Sequence, residues 1–579
     1  MEREEPASAL SSKDSRRFST LCIMLTHMET LIVGVVRSAY QALAGAEPPS
    51  SFLEIRPADR PEFGDYTSNI AMLAAAELKA APRDIGGKLL QAISEQIDAS
   101  PSHPVAKVEL AGPGFINLFL KPEAIQDALR LIVNEGKDFG SSKLGEGKKL
   151  QVEFVSSNPT GPLTVGHGRQ AVLGDVLATL YERIGYEVER EYYCNDEGRQ
   201  IDLLAESLWV RYQEQYEDSH EIPENGYQGE YLIAVAEDLK ETLARSFPEF
   251  DDETKDLFRQ AAVERMKTWI TNDLEELGVA FNHWFYEAGL HEAGKVDAAL
   301  QLLREKDGVY EEDGAVWLKA EEYGGAKDSV LIRSDGRPTY LMVDTAYHIN
   351  KHERGFDRVL NVQGADHHTE QTCVKAALRI LGYPDEWLSY AVHQFVSLKE
   401  GGQVQKMSTR AGRFVPLRDL TRELGKDIVR YFMISRKPEA HLEFDLDLAR
   451  AESADNPATY IQYAYTRIRS IFRKAGAAEF SGSIQVDLSL LQEVEELALI
   501  KTLDQFPQVI EHAALDFAPH ALAEYGLNLS RTFHAYYDRH RVLVDDTELQ
   551  TARLALLYAL QNVLGDCLGI LGMDTPEEM

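Results

Sequence analysis

The amino-acid sequence predicts a multidomain α/β protein in which a Rossmann-like parallel sheet lies between a small N-terminal α/β domain and an all-helical C-terminal bundle. Three observations predict this architecture. At 579 residues the chain is too long for one hydrophobic core, so three or four domains are expected. Between residues 150 and 193 an apolar strand, a glycine-rich turn, a helix and a second strand follow one another, which indicates parallel strands joined by a crossover helix. After residue 457, apolar residues recur at helical spacing almost to the end of the chain.

Composition shifts and loop signals divide the chain into four parts. Residues 1–27 are expected to be a disordered extension, and residues 28–140 a small α/β domain with strands at KVELAG and GFINLFL. The Gly- and Ser-rich loop SSKLGEGKK separates this domain from the parallel-sheet domain, which is expected over 148–450. An acidic, helical insertion is expected at about 200–325, and the helical bundle over 455–579.

The first residues contain a pattern that superficially resembles an export signal. The stretch SRRFSTLCIMLTHMETLIVGVV joins paired arginines to an apolar region, but His27 and Glu29 interrupt that region and acidic residues flank the arginines. A disordered extension is therefore favoured over an export signal.

No run of 18 or more apolar residues occurs, so no membrane contact is expected. The four cysteines are scattered without a C-x₂-C pair, which favours a reducing compartment, and a cytoplasmic location is expected.

The formal net charge of −34 at pH 7 argues against a general polyanion binder. Like charges repel a phosphate backbone at long range, so the surface as a whole does not attract nucleic acid. Any contact with a nucleic acid must therefore use local basic patches.

The turn that follows the first strand of the parallel sheet, NPTGPLTVGHGRQ at residues 158–170, indicates a phosphate site. A parallel strand that ends in a glycine-rich turn brings a ligand to a helix N-terminus, where backbone N–H groups and the helix dipole favour phosphate. Gly166 lacks a side chain, so a nucleotide can lie flat against the backbone, and His167 can donate a hydrogen bond to a phosphate oxygen. The alternative is that this is an ordinary turn and that His167 is an ordinary helix cap. If this turn were the only motif, the alternative would be the better interpretation.

A second stretch, QVQKMSTRAG at residues 403–412, makes the phosphate site the better interpretation. A lysine on a polar loop can close on a triphosphate and stabilise charge that develops only in the transition state, although a solvated surface lysine is the ordinary alternative. The two stretches stand in order at the two ends of one α/β domain. Together they resemble the paired signatures of class I aminoacyl-tRNA synthetases, H-x-G-H and K-M-S-K-S.

Further motifs are similar to those of one family in this class, the arginyl-tRNA synthetases. They run from about Met28 to the C-terminus: FGDYTSNIAM, AGPGFINLFL, EFVSSNPTGP, GHGR, NDEGRQI, YQGEYL, GADHH and YIQYAYTRIRSIFRKA. The resemblance implies a tRNA-binding role for residues 28–140, a catalytic role for the parallel-sheet domain, and anticodon binding by the C-terminal bundle.

The resemblance also assigns the catalytic and ATP-binding residues. The catalytic residues it implies are His167, Thr164, Lys406, Ser408 and Arg410. The ATP-binding residues it implies are Pro159, Gly161, Thr164, Gly166, His167, Lys406 and Met407.

Two positions depart from the family signatures. Thr164 replaces the first histidine of H-x-G-H, although its hydroxyl can still donate one hydrogen bond. Thr409 replaces the second lysine of K-M-S-K-S, so Lys406 and Arg410 are expected to share phosphate neutralisation.

A pocket for free arginine must satisfy a planar, permanently charged guanidinium, which requires a carboxylate able to accept two N–H bonds. Tyr340 and Asp344 are four residues apart, hence on one face of a helix, and the resemblance places them at the guanidinium. It also implies amino-acid contacts from Glu153 and Asn158, and an α-amino contact from His367. The alternative for Asp344 is a carboxylate on a helix surface.

The start of the C-terminal bundle is a local exception to the acidic balance. Residues 456–478 contain no Asp or Glu. Tyrosines and basic residues are interleaved in this stretch, and unstacked anticodon bases can pack on the tyrosine rings. The expected tRNA-binding residues are Tyr460, Tyr463, Arg467, Arg473, Lys474 and Arg541. At helical spacing some of the tyrosines must instead belong to the core, so only one or two are expected to contact RNA.

The activity implied by the resemblance is arginine–tRNA ligation. ATP and L-arginine form arginyl-adenylate, and the arginyl group then passes to the terminal ribose of tRNA(Arg). Mg²⁺ is expected with ATP, no bound zinc is expected, and a monomer is the family-level expectation.

Two rival hypotheses remain open. One is a catalytically silent paralogue that only binds tRNA, motivated by Thr164. The other is a class I synthetase for a different amino acid, against which Asp344 argues because a neutral substrate would leave a buried carboxylate unpaired.

Overall fold

The computed structural model describes residues 25–58, 60–405, 415–476 and 486–578. Its N-terminal domain is a four-stranded antiparallel sheet, in the order β1-β2-β4-β3, covered by helices. The elements in chain order are α1 (His27–Ala44), β1 (Ile55–Pro57), β2 (Tyr66–Ser68), α2 (Ile70–Leu73), α3 (Pro82–Ala99), β3 (Val105–Ala111), β4 (Phe115–Leu120) and α4 (Pro122–Glu135).

The first helix begins slightly before the boundary expected from the sequence. Thr26 is only 3% exposed, and its hydroxyl accepts the Glu29 N–H at 3.2 Å while the Glu29 carboxylate accepts the Thr26 N–H at 3.2 Å. This reciprocal cap satisfies backbone donors that the helix itself leaves unpaired. Thr26 and His27, which the sequence placed in the extension, therefore belong to the cap and the first turn of α1.

The central sheet has five parallel strands in the order β12-β11-β5-β6-β7, so the Rossmann-like prediction is confirmed. From β5 the chain crosses to β6 on one side, and it later returns to the other side of β5 in β11. The strand order thus reverses between β5 and β11, which is where such sheets bind their ligands. The first elements of this domain are β5 (Lys149–Glu153), α5 (Val165–Arg183), β6 (Glu187–Cys194), α6 (Arg199–Glu214), α7 (Tyr231–Leu243), α8 (Asp252–Glu276), β7 (His283–Tyr286), α9 (Ala288–Glu292) and α10 (Lys295–Glu305).

The second half of the domain adds the remaining two strands of the central sheet and two small three-stranded sheets, β10-β9-β8 and β14-β13-β15. Its elements are β8 (Val309–Glu312), β9 (Ala315–Leu318), β10 (Ser329–Ile332), α11 (Tyr340–Glu353), β11 (Arg358–Gly364), α12 (His368–Leu381), β12 (Leu388–His393), β13 (Val396–Glu400), β14 (Gln403–Gln405), α13 (Leu417–Leu424), α14 (Lys426–Ile434), β15 (Leu442–Asp445) and α15 (Leu446–Ala449).

The helical insertion is shorter than the expected range of about 200–325. Helices α6, α7 and α8 have their own apolar core, but β7 then joins the edge of the central sheet and β8 and β9 form a hairpin. The four-residue strand HWFY is too short to show a period in the sequence. It is held by pairing with β6, where the rings of Tyr192 and Trp284 stack with their centroids 4.2 Å apart.

The C-terminal bundle contains α16 (Pro457–Ala475), α17 (Val494–Asp504), α18 (Phe506–Leu515), α19 (Pro519–Arg539) and α20 (Thr547–Ile570). It packs against α5 of the central domain and against the N-terminal domain through α4 and α17. The contact with the N-terminal domain includes a hydrogen bond from the Met28 N–H to Asp504 and an ion pair between Lys501 and Asp65. Within the described ranges, no helix is both long and apolar enough to cross a membrane.

The interface between the N-terminal domain and the bundle holds two acidic side chains. Burial raises the pKa of Glu29 and of Asp504, and repulsion from the Asp504 carboxyl adds to the rise at Glu29. A folded-state pKa above the unfolded value contributes stability at low pH that is lost as the pH rises through the folded value. We therefore expect Asp504→Asn to raise the midpoint of thermal unfolding at pH 7.5, by about 2 °C for each kcal/mol gained.

The gain should shrink as the pH is lowered and the wild-type carboxyls take up protons, and calorimetry over a series of pH values measures it. Asp538→Asn, at an exposed position of α19 in the same bundle, is the matched control and should show no such pH-dependent gain. A lower midpoint for Asp504→Asn at pH 7.5 would contradict the expectation.

Candidate active site

The candidate site lies at the carboxyl edge of the central sheet, where the chain leaves β5. Val155 and Ser156 both have positive φ, at 66° and 42°. Such values are uncommon for residues other than glycine and tend to occur at functional sites. The Ser156 hydroxyl donates to Glu153 at 3.0 Å and accepts the Tyr193 N–H at 3.1 Å, so β6 holds this bend in place.

The orientation of His167 is set by the backbone of Thr164, the N-cap residue of α5. The Thr164 N–H donates to Nδ1 of His167 at 3.1 Å, and the Thr164 hydroxyl oxygen lies 3.3 Å from the same nitrogen. Burial, with repulsion from His393, lowers the pKa of His167 to about 4. The ring is therefore neutral at pH 7, with its proton on Nε2, because Nδ1 must accept the Thr164 N–H. His167 caps the helix with one nitrogen and keeps the other as a donor.

Two glycines of α5 serve different purposes. A Cβ on Gly166 would meet only the Thr164 hydroxyl, at 3.7 Å, so this side of the turn is open. A Cβ on Gly168 would lie 2.6 Å from a methyl of Leu417, so this glycine lets α13 approach α5. The open face expected at Gly166 for a nucleotide is consistent with this geometry.

The helical insertion supports the other end of the turn. The Tyr231 hydroxyl, on α7, donates to the carbonyl of Thr160 at 2.6 Å, and a Cβ on Gly161 would lie 3.5 Å from the same hydroxyl. Pro159 is buried beside them. Three of the residues expected to bind ATP, namely Pro159, Gly161 and Gly166, thus share one turn that two separate parts of the domain hold in place.

His393 is a member of the site that the sequence analysis missed. It ends β12, is buried, and burial lowers its pKa to about 4. Its Nε2 has no hydrogen-bond partner among the described residues. Its position at the end of a buried strand could have placed His393 at the site from the sequence alone, because the carboxyl ends of parallel strands meet at one edge of the sheet.

The second signature falls outside the described residues, so the placement of Lys406, Met407, Ser408 and Arg410 remains a prediction. The chain on either side of it is described. The hairpin of β13 and β14 leads to Gln405, and on the far side Pro416 pairs with Thr164 while the Leu417 N–H donates to the Leu163 carbonyl at 2.8 Å. The chain therefore re-enters directly beside the turn that holds His167.

One face of α11 carries the two residues that the sequence predicts at the guanidinium, Tyr340 and Asp344. Asp344 is 23% exposed at its side chain, and its carboxylate lies 3.2 Å from Nδ1 of His348, which is buried one turn further along the helix. Asn361 on β11 donates to Nε2 of His348 at 3.0 Å and so fixes that ring. Tyr340 is 60% exposed at the start of the same helix. The two residues singled out in the sequence share a face, as their spacing of four predicts.

Glu153 is placed differently from the expected amino-acid contact. Its carboxylate accepts the ammonium of Lys351 at 2.6 Å, and Lys351 is completely buried on the inward face of α11. Lys351 also donates to Asn361 at 3.0 Å. The Glu153 charge is thus neutralised within the protein, and its contact with α11 supports the pocket from below. The sequence feature that could have predicted this contact is the row of polar residues at positions 344, 348 and 351, which lie on one face of α11 and face the sheet.

Glu287 and Tyr193 complete the pocket and were also missed. The Tyr193 hydroxyl donates to the Glu287 carboxylate at 2.6 Å, and burial raises the pKa of Glu287. The pKa of Tyr193 is raised by burial first and then by the nearby carboxyls of Glu287, Asp344 and Glu153. Glu153 is already paired with Lys351, so Glu287 and Asp344 are the carboxyls near Tyr193 whose charge favours a cationic ligand.

Asn158 and His367 lie at the same edge but in different settings. The Asn158 amide donates to Gln200 at 2.6 Å, which leaves its carbonyl oxygen as an acceptor. His367 is half-exposed, and a hydrogen bond with Glu370 at 3.1 Å raises its pKa. A histidine biased toward its cationic form does not suit the expected contact with an α-ammonium group, because like charges repel.

The expected RNA face on α16 combines exposed aromatic and basic side chains. The Arg467 guanidinium lies 4.6 Å from the ring centre of Tyr463 and 5.0 Å from that of Tyr537. Tyr460 and Tyr463 both contact His534 of α19, with ring centroids 4.9 and 5.8 Å apart. Lys474 and Arg541 are exposed, whereas the Arg473 guanidinium donates to the Glu577 carbonyl at 3.0 Å.

Comparisons with known proteins place the chain among synthetases. Family models match three consecutive stretches: the arginyl tRNA synthetase N-terminal domain at residues 29–120, the catalytic domain of class I (R) tRNA synthetases at 128–440, and the DALR anticodon-binding domain at 461–579. An arginine–tRNA ligase of Thermotoga maritima is 43% identical over 530 residues, which cover 91% of this chain and 95% of that protein. One from Coxiella burnetii is 41% identical over 555 residues, covering 90% and 94%.

Solved structures agree. A putative arginyl-tRNA synthetase from Campylobacter jejuni is 32% identical, with a TM-score of 0.73, and the match covers 79% of this chain and 100% of that one. The arginyl-tRNA synthetase of Thermus thermophilus, at 23% identity and a TM-score of 0.72 over 95% of this chain and 100% of that one, shows the fold alone.

The parallel sheet, the turn with His167 and the matching catalytic model define a class I aminoacyl-tRNA synthetase. At more than 40% identity over nine-tenths of its length, the chain belongs to the arginyl-tRNA synthetase family. Its activity is the ATP-dependent joining of arginine to tRNA, and the resemblance found in the sequence is confirmed.

The two roles of His167 can be separated by substitution. In His167→Asn the amide oxygen can still accept the Thr164 N–H, but the distal donor is lost. We expect turnover in arginine-dependent ATP–pyrophosphate exchange, with tRNA present, to fall by about 10²-fold, as for a preorganised donor to developing charge. The unfolding midpoint should not change, because the helix cap remains.

Thr164→Val is the matched comparison, because it keeps the backbone N–H that orients His167. Its loss should be no more than about fivefold, the usual effect of one neutral hydrogen bond. Equal losses from the two substitutions would show that the distal nitrogen of His167 has no special role.

Proposed function

We propose that arginine–tRNA ligation is divided among three surfaces of this chain: the turn at His167 for ATP, the inward face of α11 for arginine, and α16 with α19 for tRNA(Arg). The observation that carries the proposal is the hydrogen bond from the Thr164 N–H to His167, which leaves a neutral imidazole with a free donor. Aminoacylation of purified total tRNA with each amino acid in turn tests it. Arginine alone should be incorporated, and incorporation of another amino acid or of none would refute it.

The ATP site is built on the turn between β5 and α5. Nε2 of His167 donates to a phosphate oxygen, and it does so throughout the neutral range because the ring has no positive charge to lose. Gly166 leaves room for the nucleotide, while the α5 N-terminus supplies backbone N–H groups. Lys406 and Arg410, with Met407 and Ser408 between them, neutralise the charge on the departing pyrophosphate. Mg²⁺ enters with ATP, because the triphosphate is its ordinary carrier, and it shields the phosphate charge.

The arginine site is the acidic cluster next to α11. Asp344 accepts the guanidinium, Tyr340 covers it, and the free carbonyl of Asn158 accepts the α-ammonium. Glu153 acts through Lys351 as a support for this face rather than as a direct ligand. His367, biased toward the cation, faces the substrate carboxylate or a phosphate.

The chemistry consists of two transfers. A carboxylate oxygen of arginine attacks the α-phosphorus of ATP, and the bond to the bridging oxygen breaks to release pyrophosphate. A hydroxyl of the terminal ribose of tRNA then attacks the adenylate carbonyl, and AMP leaves while the hydroxyl proton goes to solvent. The protein's part is to orient both substrates and to stabilise charge as it develops on phosphate.

The two rival hypotheses fit this geometry less well. A silent paralogue was motivated by Thr164, but the backbone of that residue, rather than its side chain, makes the shorter contact with His167. A synthetase for a neutral amino acid would leave Asp344 and Glu287, near Tyr193, without a cationic ligand to pair with. We also propose, on family grounds alone, that the enzyme acts as a monomer in the cytoplasm.

Asp344 provides the sharpest test of the arginine site. Asp344→Asn removes a charge-assisted contact, so the KM for arginine should rise by about 10- to 100-fold, while the KM for tRNA stays the same. Asp335→Asn, in the exposed turn before α11, is the matched control and should leave both constants unchanged. An arginine KM within about twofold of wild type would place the guanidinium elsewhere.

Arg467 tests the RNA face, because it stacks on two tyrosine rings. Arg467→Ala should raise the KM for tRNA several-fold and reduce the salt dependence of tRNA affinity by about one ionic contact, with turnover at saturating tRNA unchanged. Arg304→Ala, on α10, carries the same charge change in an exposed ion pair with Glu311 and serves as the control. If both substitutions had identical effects, tRNA affinity would depend on the overall charge of the protein and not on a contact with Arg467.

A further inference from the structure

A chain of hydrogen bonds runs through the interior of the central domain and ends at Asp344. It begins at the ammonium of Lys351, which donates to Glu153 at 2.6 Å and to the side-chain oxygen of Asn361 at 3.0 Å. The Asn361 amide donates in turn to Nε2 of His348 at 3.0 Å. The three side chains from Lys351 to His348 are buried. The Asp344 side chain is 23% exposed, so this end of the chain is the one placed to meet a ligand.

The direction of every bond in this chain follows from Lys351. An ammonium has donors and no acceptor, so the oxygen of the Asn361 amide faces Lys351 and its nitrogen faces His348. Nε2 of His348 is therefore an acceptor, and the ring carries its proton on Nδ1. That nitrogen lies 2.8 Å from the Asp344 carbonyl oxygen and 3.2 Å from the Asp344 carboxylate, so one N–H is shared between the two oxygens.

The buried end of the chain is held by the central sheet. Glu153 is the last residue of β5, and its second carboxylate oxygen accepts the Ser156 hydroxyl at 3.0 Å. Asn361 lies on the neighbouring strand β11, directly opposite Glu153 in the parallel register. Because the chain is fixed to two adjacent strands, it can hold a side chain of α11 in one orientation.

Packing alone does not account for this chain. The charge on the buried Lys351 opposes folding unless its partners are well placed, and apolar side chains of similar volume often stabilise a fold equally well. The plane of an aspartate carboxylate is otherwise free to turn about the Cβ–Cγ bond. Buried polar groups commonly prevent such turning in a side chain that contacts a ligand.

The plane of the Asp344 carboxylate matters more for one kind of cation than for another. A guanidinium is a rigid planar fork, which forms two parallel N–H bonds only with a carboxylate in the matching plane. The ammonium of lysine is a compact charge with three rotatable donors, so it binds a carboxylate in any plane. A fixed donor beside Asp344 therefore favours the fork.

We propose that His348 is a positioning residue that makes the site selective for arginine over lysine: its Nδ1–H holds the Asp344 carboxylate in the plane that accepts a guanidinium. The inference rests on the proposed assignment of Asp344 to the guanidinium. His348 touches no substrate and acts through Asp344, while Asn361 and Lys351 keep its ring and its proton in place.

Two amides at position 348 separate the donor from the space that the ring fills. In His348→Asn the amide nitrogen takes the place of Nδ1 and can still donate to Asp344. In His348→Gln the amide reaches the place of Nε2, and the donor to Asp344 is lost. The measurement is arginine-dependent ATP–pyrophosphate exchange with tRNA present, and L-lysine is added as a competitive inhibitor.

His348→Gln should raise the KM for arginine about tenfold, because one of two parallel charge-assisted bonds is lost. The Ki of lysine should stay within about twofold of wild type, so the selectivity falls by nearly the whole factor. His348→Asn should keep both constants within about threefold of wild type. In the Asp344→Asn background, His348→Gln should have no further effect on the arginine KM.

The matched control is His352→Gln, one turn further along α11 at an exposed position, which should leave both constants unchanged. A purely structural role for His348 would weaken arginine and lysine binding together and would lower the unfolding midpoint. A positioning role changes the ratio of the two constants, while the midpoints of His348→Gln and His348→Asn stay close to each other.

The wild-type ring provides a second measurement that needs no substitution at position 348. In NMR spectra of protein with isotopically labelled histidine, the His348 resonances are identified by their shift in Asp344→Asn, whose side chain lies at the edge of the pocket. The proton should be on Nδ1. Saturating L-arginine should shift this nitrogen more than saturating L-lysine does.

The results that overturn the proposal also show whether the proposed arginine site survives. If Asp344→Asn raises the arginine KM but His348→Gln changes arginine and lysine binding equally, the site stands and His348 is a structural residue. If Asp344→Asn leaves the arginine KM unchanged, the site and this inference both fail. A His348 proton on Nε2, or histidine resonances that do not respond to Asp344→Asn, would show that no donor faces the carboxylate.

Discussion

The carboxyl edge of the sheet depends on one hydrogen bond, from the backbone N–H of Thr164 to Nδ1 of His167. It caps α5, fixes the tautomer of the imidazole and directs the opposite nitrogen outward. Since a backbone group makes this bond, the side chain at position 164 is free to vary. Three further hydrogen bonds support this turn: Ser156 with Tyr193 at its start, Tyr231 with Thr160 in the middle, and Leu417 with Leu163 at its end.

Electrostatics explains how a strongly acidic protein can handle two anionic substrates and one cationic one. The phosphate donor His167 is neutral, so it needs no compensating acid nearby. The acids are gathered instead around Tyr193, where a guanidinium is expected. The stretch that forms α16 contains basic and aromatic side chains but no Asp or Glu, a local exception to a net charge of −34, and Arg467 lies over the ring of Tyr463. Under the proposed assignment of sites, each substrate meets a local field opposite in sign to its own, or a neutral donor.

The sequence predicted the overall organisation well, because that organisation rests on local patterns. Strand, turn and crossover helix between residues 150 and 193 were sufficient for the parallel sheet, and helical spacing after residue 457 for the bundle. The extent of the insertion was not predicted well, because β7 is a four-residue strand held only by its pairing with β6. Thr26 was missed as a cap because it was assigned to the extension, although Thr26 and Glu29 form the T-x-x-E pattern of a capping box.

What the sequence determined by itself was the chemistry available and its order along the chain: His167 in a glycine-rich turn, Tyr340 and Asp344 one helical turn apart, and the basic tyrosine-rich stretch. Only the tertiary structure decided which of these groups remain available to a ligand. It paired Glu153 with Lys351 across 198 positions and brought His393 to the edge that carries His167. Such contacts join side chains from separate strands and helices, so no local pattern records them, and the burial that shifts their pKa values exists only once the chain has folded.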